Sequence, residues 1–338
     1  MSKNILAFDL GYGSVKVGYK TPTGQLRYQK LLTAVGKVEQ NEALDIYNKL
    51  ETNVYMYENT PYYLGLPALF LPSKQLIEID NYKALRFVSP IIISYYLDQI
   101  GNNEGIKFDT IVVGLSLAHA TESADYKRYL ESKLNVNIRV LAQGVSSKFA
   151  IEKFGLDPTD KTQATQVKIT DYIGMDLGFN TVDVFSVIRG KSSFNTSKGY
   201  EGQGVIKVAE KLRNYVAQQH KIDLSIQDYK NILEDGALSY RGLDINLSEK
   251  IHEYMVEYLI ETIECVETDF AAAINKVNRV IMVGGGANLI KRYLELEDSK
   301  LQTYLSSKYS GDFLMIPKLP EFYNVLGYYT KEETDPQS

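Results

Sequence analysis

One short pattern occurs twice in the 338 residues. Asp9-Leu10-Gly11-Tyr12-Gly13-Ser14-Val15-Lys16 returns without a gap, at a constant offset of 167 residues, as Asp176-Leu177-Gly178-Phe179-Asn180-Thr181-Val182-Asp183. Each copy follows an apolar run, Ile5-Leu6-Ala7-Phe8 or Ile173-Gly174-Met175, and continues into alternating apolar residues, Val15, Val17 and Tyr19 or Val182 and Val184. This is the grammar of a buried strand, a tight glycine turn and a second strand. Self-similarity over so long a period predicts two domains of like fold, each presenting the same hairpin.

A hairpin of this composition can hold phosphate. Glycines let backbone N–H groups point into one concavity and let a polyanion come close, Ser14 adds a hydroxyl, and Lys16 supplies a point charge. Asp9, at the mouth of the turn, is placed to hold Mg²⁺ through its waters. Taken alone, an Asp followed by Gly-x-Gly between strands also describes an ordinary hairpin. Repetition favours the chemistry, because two such turns facing each other would clamp a nucleoside triphosphate. The copies differ at one telling place, Lys16 against Asp183, so the halves have diverged in role.

Composition narrows the class. A chain of this length, 44% apolar and 23% charged, suits about two globular domains. A net charge of −5 argues against direct, nonspecific nucleic-acid binding, so any link to DNA should pass through a partner. The single cysteine, Cys265, rules out an intramolecular disulfide framework, and His119, His220 and His252 have no metal-binding spacing. The chain enters a strand at once without a signal-peptide pattern, and the most apolar stretch, residues 87–97, is interrupted by Pro90 and falls short of the roughly 20 residues of a span. The expectation is a cytoplasmic protein that does not enter membranes.

Along the chain, Thr21-Pro22-Thr23-Gly24 reads as a turn, and residues 53–57 and 62–66 as short strands within an insertion. A helix is expected over 91–100, broken by Gly101-Asn102-Asn103-Glu104-Gly105, then a buried strand over 110–117 and a helix over 123–134 with Ser123 as a possible cap. A strand over 137–141, the segment Gln143-Gly144-Val145-Ser146-Ser147, a helix to Phe154 and a polar connection over 155–170 follow. After the second hairpin, Lys198-Gly199-Tyr200-Glu201-Gly202-Gln203-Gly204 reads as a glycine-rich loop, either an anion border or a flexible entry to the helix carrying Val205, Val208, Leu212 and Val216. Residues 223–246 form a polar excursion before a long helix from Leu247. Val280-Ile281-Met282-Val283-Gly284-Gly285-Gly286-Ala287-Asn288 reads as a strand, three glycines and a new helix, matching neither Gly-x-Gly-x-x-Gly nor the P-loop pattern. Three glycines there would let a base or ribose approach the backbone. Residues 320–329 are expected as a closing helix that returns to the first domain, and a disordered polar tail is expected from Thr330.

Residues 9–16, 176–183 and 280–288 and the ending Asn324-Val325-x-Gly327 together resemble the actin, heat-shock chaperone and sugar kinase superfamily, and within it the bacterial actin-like ATPases of plasmid segregation, the ParM/StbA family. The resemblance implies an α/β actin-like fold: two duplicated ribonuclease-H-like domains with a nucleotide cleft between them, each with a smaller inserted subdomain. Domain I would span 1–168, with an insertion at about 21–105 and residues 321–338 returning to it. Domain II would span 169–320, with an insertion at about 209–265.

Roles follow from the resemblance residue by residue. Asp9 and Asp176 would organise Mg²⁺ and water. Gly11, Tyr12, Gly13, Ser14 and Lys16, with Gly178, Phe179, Asn180 and Thr181, would hold the phosphates of ATP or GTP. Gly284, Gly285, Gly286 and Asn288 would border adenosine, with Gly202 near the nucleotide and Glu210 a ribose contact. Gln143 would orient the attacking water, its amide acting by position because it takes up no proton at neutral pH; the alternative is that it caps the following helix. The implied activity is ATP hydrolysis coupled to filament formation in plasmid segregation, with the chain itself and a DNA-binding adaptor as partners. Other actin-like cytoskeletal or scaffold roles, in cell shape, division or organelle positioning, and a small-molecule kinase of the same fold, are the alternatives.

Overall fold

The computed structural model describes residues 3–38, 54–159, 169–277, 279–294, 299–309 and 313–335. Asn53, the middle of the expected polar connection and the end of the expected tail lie outside these residues.

In chain order the first part contains β1 (Ile5–Leu10), β2 (Ser14–Lys20), β3 (Leu26–Leu32), β4 (Val35–Lys37), β5 (Val54–Tyr57), β6 (Thr60–Leu64), α1 (Tyr82–Glu104), β7 (Thr110–Leu115), α2 (Ser123–Leu134) and β8 (Asn137–Ala142). The second part contains α3 (Ser147–Phe154), β9 (Tyr172–Leu177), β10 (Thr181–Ile188), β11 (Lys191–Glu201), α4 (Ile206–His220), α5 (Ile226–Asp235), β12 (Ala237–Tyr240), β13 (Leu243–Asn246), α6 (Ser248–Asp269) and α7 (Ala271–Ile274). It continues through β14 (Val280–Val283), α8 (Gly285–Leu294), α9 (Ser299–Lys308) and β15 (Leu314–Met315) to α10 (Tyr323–Thr334). The chain divides into two compact units, one of Met1–Leu115, His119–Ala142 and Val325–Ser338, the other of Ser116–Ala118 and Gln143–Asn324. The main division falls between Ala142 and Gln143, whereas the sequence suggested about 168.

The two units repeat one topology. The first has a five-stranded sheet in the order β3-β2-β1-β7-β8, the second one in the order β11-β10-β9-β14-β15. In each, the first three strands are antiparallel and the last two join in parallel. Every residue of the central strands β1 and β9 is buried, which is why both read as nearly unbroken apolar runs. The exception stands fifth in each strand, Asp9 and Asp176, and the register places Asp9 opposite Lys16 and Asp176 opposite Asp183.

In the first unit, α10 packs where the sheet makes room for it. A Cβ at Gly114 would fall 2.0 Å from the Tyr328 hydroxyl, and one at Gly18 would fall 3.2 Å from Val325 Cγ2. The helix continues through Thr334, correcting the expectation of a disordered tail from Thr330. Thr330 and Glu332 are buried, and the Glu332 carboxylate lies 3.5 Å from Arg139 Nε on β8, so polarity here marks a paired interior rather than an unfolded end. α1 likewise exceeds its expectation. Asn81 caps it by accepting the Ala84 N–H, Pro90 is carried inside it, and the stop is Gly105 at φ 66° rather than Gly101. Ser123 is the first residue of α2 and not its side-chain cap.

In the second unit a large apolar core joins β9, β10 and β14 to α4 and α6 through Ile173, Val184, Met282, Leu212 and Ile251. Residues 198–201 belong to β11 rather than to a loop. Gly199 is required there because a Cβ would lie 2.2 Å from the Ala118 backbone nitrogen. The expected excursion after Asp223 is α5, capped by a Ser225–Asp228 box, followed by the β12–β13 hairpin. α5 carries Lys230, buried, with Nζ 4.5 Å from the centroid of the Phe179 ring at the tip of the second hairpin. No helix among the described residues is long and apolar enough to cross a membrane.

Burial lowers the Lys230 ammonium from its ordinary 10.5 to about 7. Between those values the unfolded chain holds a proton that the folded chain does not, so stability from this group rises with pH across that window, and the full cost applies below it. Lys230→Met should therefore raise the melting temperature by several degrees at pH 6.5, reflecting roughly 3–5 kcal/mol, and by little at pH 10. Thermal melts of both proteins across that range check the sign and the window.

Candidate functional site

The first hairpin is closed by the Gly11 N–H, which donates to the Ser14 carbonyl at 3.2 Å. Its remaining geometry is set by Thr33, a residue the sequence did not mark. The buried Thr33 hydroxyl donates to the Gly11 carbonyl at 2.6 Å, and its N–H donates to the Gly13 carbonyl at 3.3 Å. Tying down these carbonyls keeps their negative ends from pointing into the turn. Asp9 and Lys16 are both buried, with Lys16 Nζ 3.7 Å from Asp9 Oδ2. Ser14 is buried at the start of β2, Gly11 and Gly13 are half-buried, and Tyr12 is buried.

The second hairpin closes in the same way, the Gly178 N–H donating to the Thr181 carbonyl at 2.9 Å. Its carbonyls are tied down by a different element. The N–H groups of Val205, Ile206 and Gly204 donate to the carbonyls of Gly178, Phe179 and Asn180 at 3.2, 2.7 and 3.2 Å. The entry to α4 thus braces the turn, and Gly204 must lack a side chain because a Cβ would sit 2.4 Å from the Phe179 oxygen. Asn180 and Thr181 are buried and Phe179 is half-buried.

The buried Asp176 carboxylate accepts a hydrogen bond at 2.7 Å from the side-chain amide of Asn324, whose own oxygen accepts the Gly144 N–H at 3.0 Å. Asp183, its cross-strand partner, accepts hydrogen bonds through Oδ1 from the Ser116 hydroxyl at 2.9 Å and the Leu117 N–H at 3.0 Å. Gln143 precedes Gly144 in a tight turn, in which the Val145 N–H donates to the Gln143 carbonyl at 2.8 Å. It does not cap α3: the N-cap is Ser146, and no side chain makes the capping bond.

The three glycines separate into two kinds. A Cβ at Gly284, which has φ 90°, would fall 2.2 Å from Asp176 Oδ1, and one at Gly286 would fall 2.8 Å from the Leu177 carbonyl, so both are needed to seat α8 on the end of β9. Nothing lies within 4 Å of the corresponding point at Gly285, which faces open space. Asn288, Gly202 and Glu210 are exposed. Among the described residues no group of three or more His, Cys, Asp or Glu side chains could hold a metal unaided. Asp9 and Asp176 each bury one carboxylate at the fifth position of a central strand, a donor of the kind Mg²⁺ takes together with its own waters.

Comparison with known proteins agrees with the topology. Residues 175–296 match the model of the archaeal actin homologue MreB-like family, C-terminal part. A ParM from Clostridium botulinum, solved as a 15-stranded filament, superposes with a TM-score of 0.72 at 19% identity, covering 98% of this chain and 100% of that one. An archaeal actin homologue in complex with ADP gives 0.66 at 16% identity, covering 99% and 100%. A Bacillus thuringiensis ParM with AMPPNP gives 0.59 at 14%, covering 97% and 98%. A search of curated proteins gave no match. The duplicated sheets, the shared hairpin register and these full-length superpositions establish that the chain has the actin-like fold.

Proposed function

We propose that this protein is an ATPase that assembles into filaments of itself, and that it moves plasmid DNA through a DNA-binding adaptor. The observation that carries the reading is the pair of matched hairpins, each with a buried aspartate at the same strand position and with its turn carbonyls occupied. Structural likeness to a ParM solved as a filament, and to relatives solved with ADP or AMPPNP, supports it. The acidic net charge suits a protein that leaves DNA contact to a partner.

In this reading each hairpin binds nucleotide phosphate through its backbone N–H groups, with Lys16 neutralising charge and Gly285 giving a base or ribose access to the backbone. When bound, Mg²⁺ supplies charge neutralisation at the phosphates. Asp9 and Asp176 are the carboxylates that would hold it, through its waters. Gln143 orients the attacking water, and its amide contributes position rather than proton transfer.

Asp176→Asn, which preserves an oxygen for the Asn324 amide, should lower ATP hydrolysis about 100-fold or more while leaving the unliganded melting temperature within a few degrees. Phosphate release near the wild-type rate would end the assignment. Gln143→Ala should slow hydrolysis yet permit ATP-dependent assembly, so that pelleted filaments persist longer than those of wild type. If pelleting is lost along with hydrolysis, the residue serves assembly instead. ATP with Mg²⁺ at a hundredfold excess over Kd should stabilise the protein by roughly 2.7 kcal/mol, and Lys16→Ala should remove much of that gain, whereas Lys37→Ala should keep it. An equal nucleotide-induced shift in both variants would leave the first hairpin without a phosphate role.

A further inference from the structure

The bridge made by Asn324 lies outside the residues that the sequence marked for chemistry, and it joins two places that were marked. Asn324 is 1% exposed and is the last residue of the second unit, Val325 opening the final segment of the first. Its amide works in both directions, Nδ2 donating to Asp176 Oδ2 at 2.7 Å and Oδ1 accepting from the Gly144 N–H at 3.0 Å. The orientation is fixed by chemistry: the reverse would set the amide NH₂ against a backbone N–H and its oxygen against a carboxylate. Of the side chains of this size, only an amide offers a donor on one arm and an acceptor on the other.

Gly144 is also held from a second side. It has φ 74°, and a Cβ built on it would lie 3.2 Å from Asp176 Cβ and 3.0 Å from Asp183 Cβ, so its backbone rests directly on the cross-strand acid pair. Gln143 is joined to it by one peptide bond. The backbone that carries the water-orienting amide and the carboxylate that organises the ion are therefore fixed by the same third residue.

We propose that Asn324 is a positioning residue for hydrolysis, holding the Gln143 backbone and the Asp176 carboxylate in one frame. This rests on the nucleotide reading above. Asn324 does not bind nucleotide; it fixes the distance between two groups that act on it. Loss of Asn324 should therefore weaken chemistry rather than binding, and should weaken it through Gln143.

The test compares wild type, Asn324→Ala, Gln143→Ala and the double variant, measuring steady-state ATP hydrolysis with Mg²⁺ and ADP binding by thermal shift. Wild type is examined first: if it shows no ADP-induced shift and no hydrolysis, the nucleotide reading itself fails. Given wild-type activity, Asn324→Ala should lower kcat about tenfold or more, keep KM and the ADP shift within about threefold, and add less than about twofold to the loss already caused by Gln143→Ala. Losses that multiply in the double variant, or an ADP shift that disappears together with kcat, overturn the proposal. If Asn324→Ala is insoluble, Asn324→Asp, which keeps the acceptor for Gly144 and lacks the donor to Asp176, is read in the same way. A fall in kcat alone supports the proposal, and loss of kcat together with the ADP shift overturns it.

Discussion

A carboxylate buried in the middle strand of a sheet is expensive, and this fold contains one at the same position twice. Removing such a charge from water costs several kcal/mol unless partners compensate for it. Neither Asp9 nor Asp176 earns its place by packing, since every other residue of β1 and nearly every residue of β9 is apolar or glycine. Much of the surrounding arrangement consists of ways of meeting that cost. Lys16 sits across the strand from Asp9, Asn324 reaches Asp176 from the start of α10, and Gly284 lacks a side chain so that α8 can begin against the Asp176 oxygen.

The same logic governs the turns. A hairpin that is to receive an anion must turn its N–H groups, not its carbonyls, toward the ligand. Those carbonyls need donors elsewhere, since an unpaired buried carbonyl costs on the order of 1–3 kcal/mol. In the first unit a single residue, Thr33, meets two carbonyls with its hydroxyl and its N–H. In the second, three consecutive N–H groups at the entry to α4 meet three. The function of the glycine segment 202–204 is thus partly structural. The close approach of Gly204 to Phe179 is what makes the bracing possible, while Gly202 remains exposed.

These solutions explain what the sequence made legible. The hairpins could be found because strand, turn and strand are contiguous and the offset between copies is constant, and both form as antiparallel strand pairs. Asn324 and Thr33 were not marked for these roles because their contacts are remote or run through backbone carbonyls, which carry no residue code; the Asn324–Asp176 bond spans 148 positions. Polarity misled at the end of α10, where Glu332 pairs with Arg139 inside the fold and reads in sequence like solvent-facing tail. Glycine is ambiguous in two places: Gly101 reads as a stop but is helical, and the triplet 284–286 reads as a single element although Gly284 and Gly286 are closely packed and Gly285 is open.

The single charge reversal between the copies accounts for their different wiring. Opposite Asp9 stands Lys16, so the first acid is compensated by its own hairpin across one cross-strand pair. Opposite Asp176 stands Asp183, a second acid, and two carboxylates side by side cannot compensate each other. Each must recruit partners from farther along the chain, and the partners recruited are Ser116 and Leu117 by Asp183 and Asn324 by Asp176. Those residues stand where the chain leaves one unit for the other: Ser116–Ala118 is an excursion out of the first unit, and Asn324 is the last residue before the return to it. Asp183, the acid that stands where the first copy has Lys16, is therefore bonded to Ser116 and Leu117, and its neighbour Asp176 to Asn324, by hydrogen bonds of 2.7 to 3.0 Å.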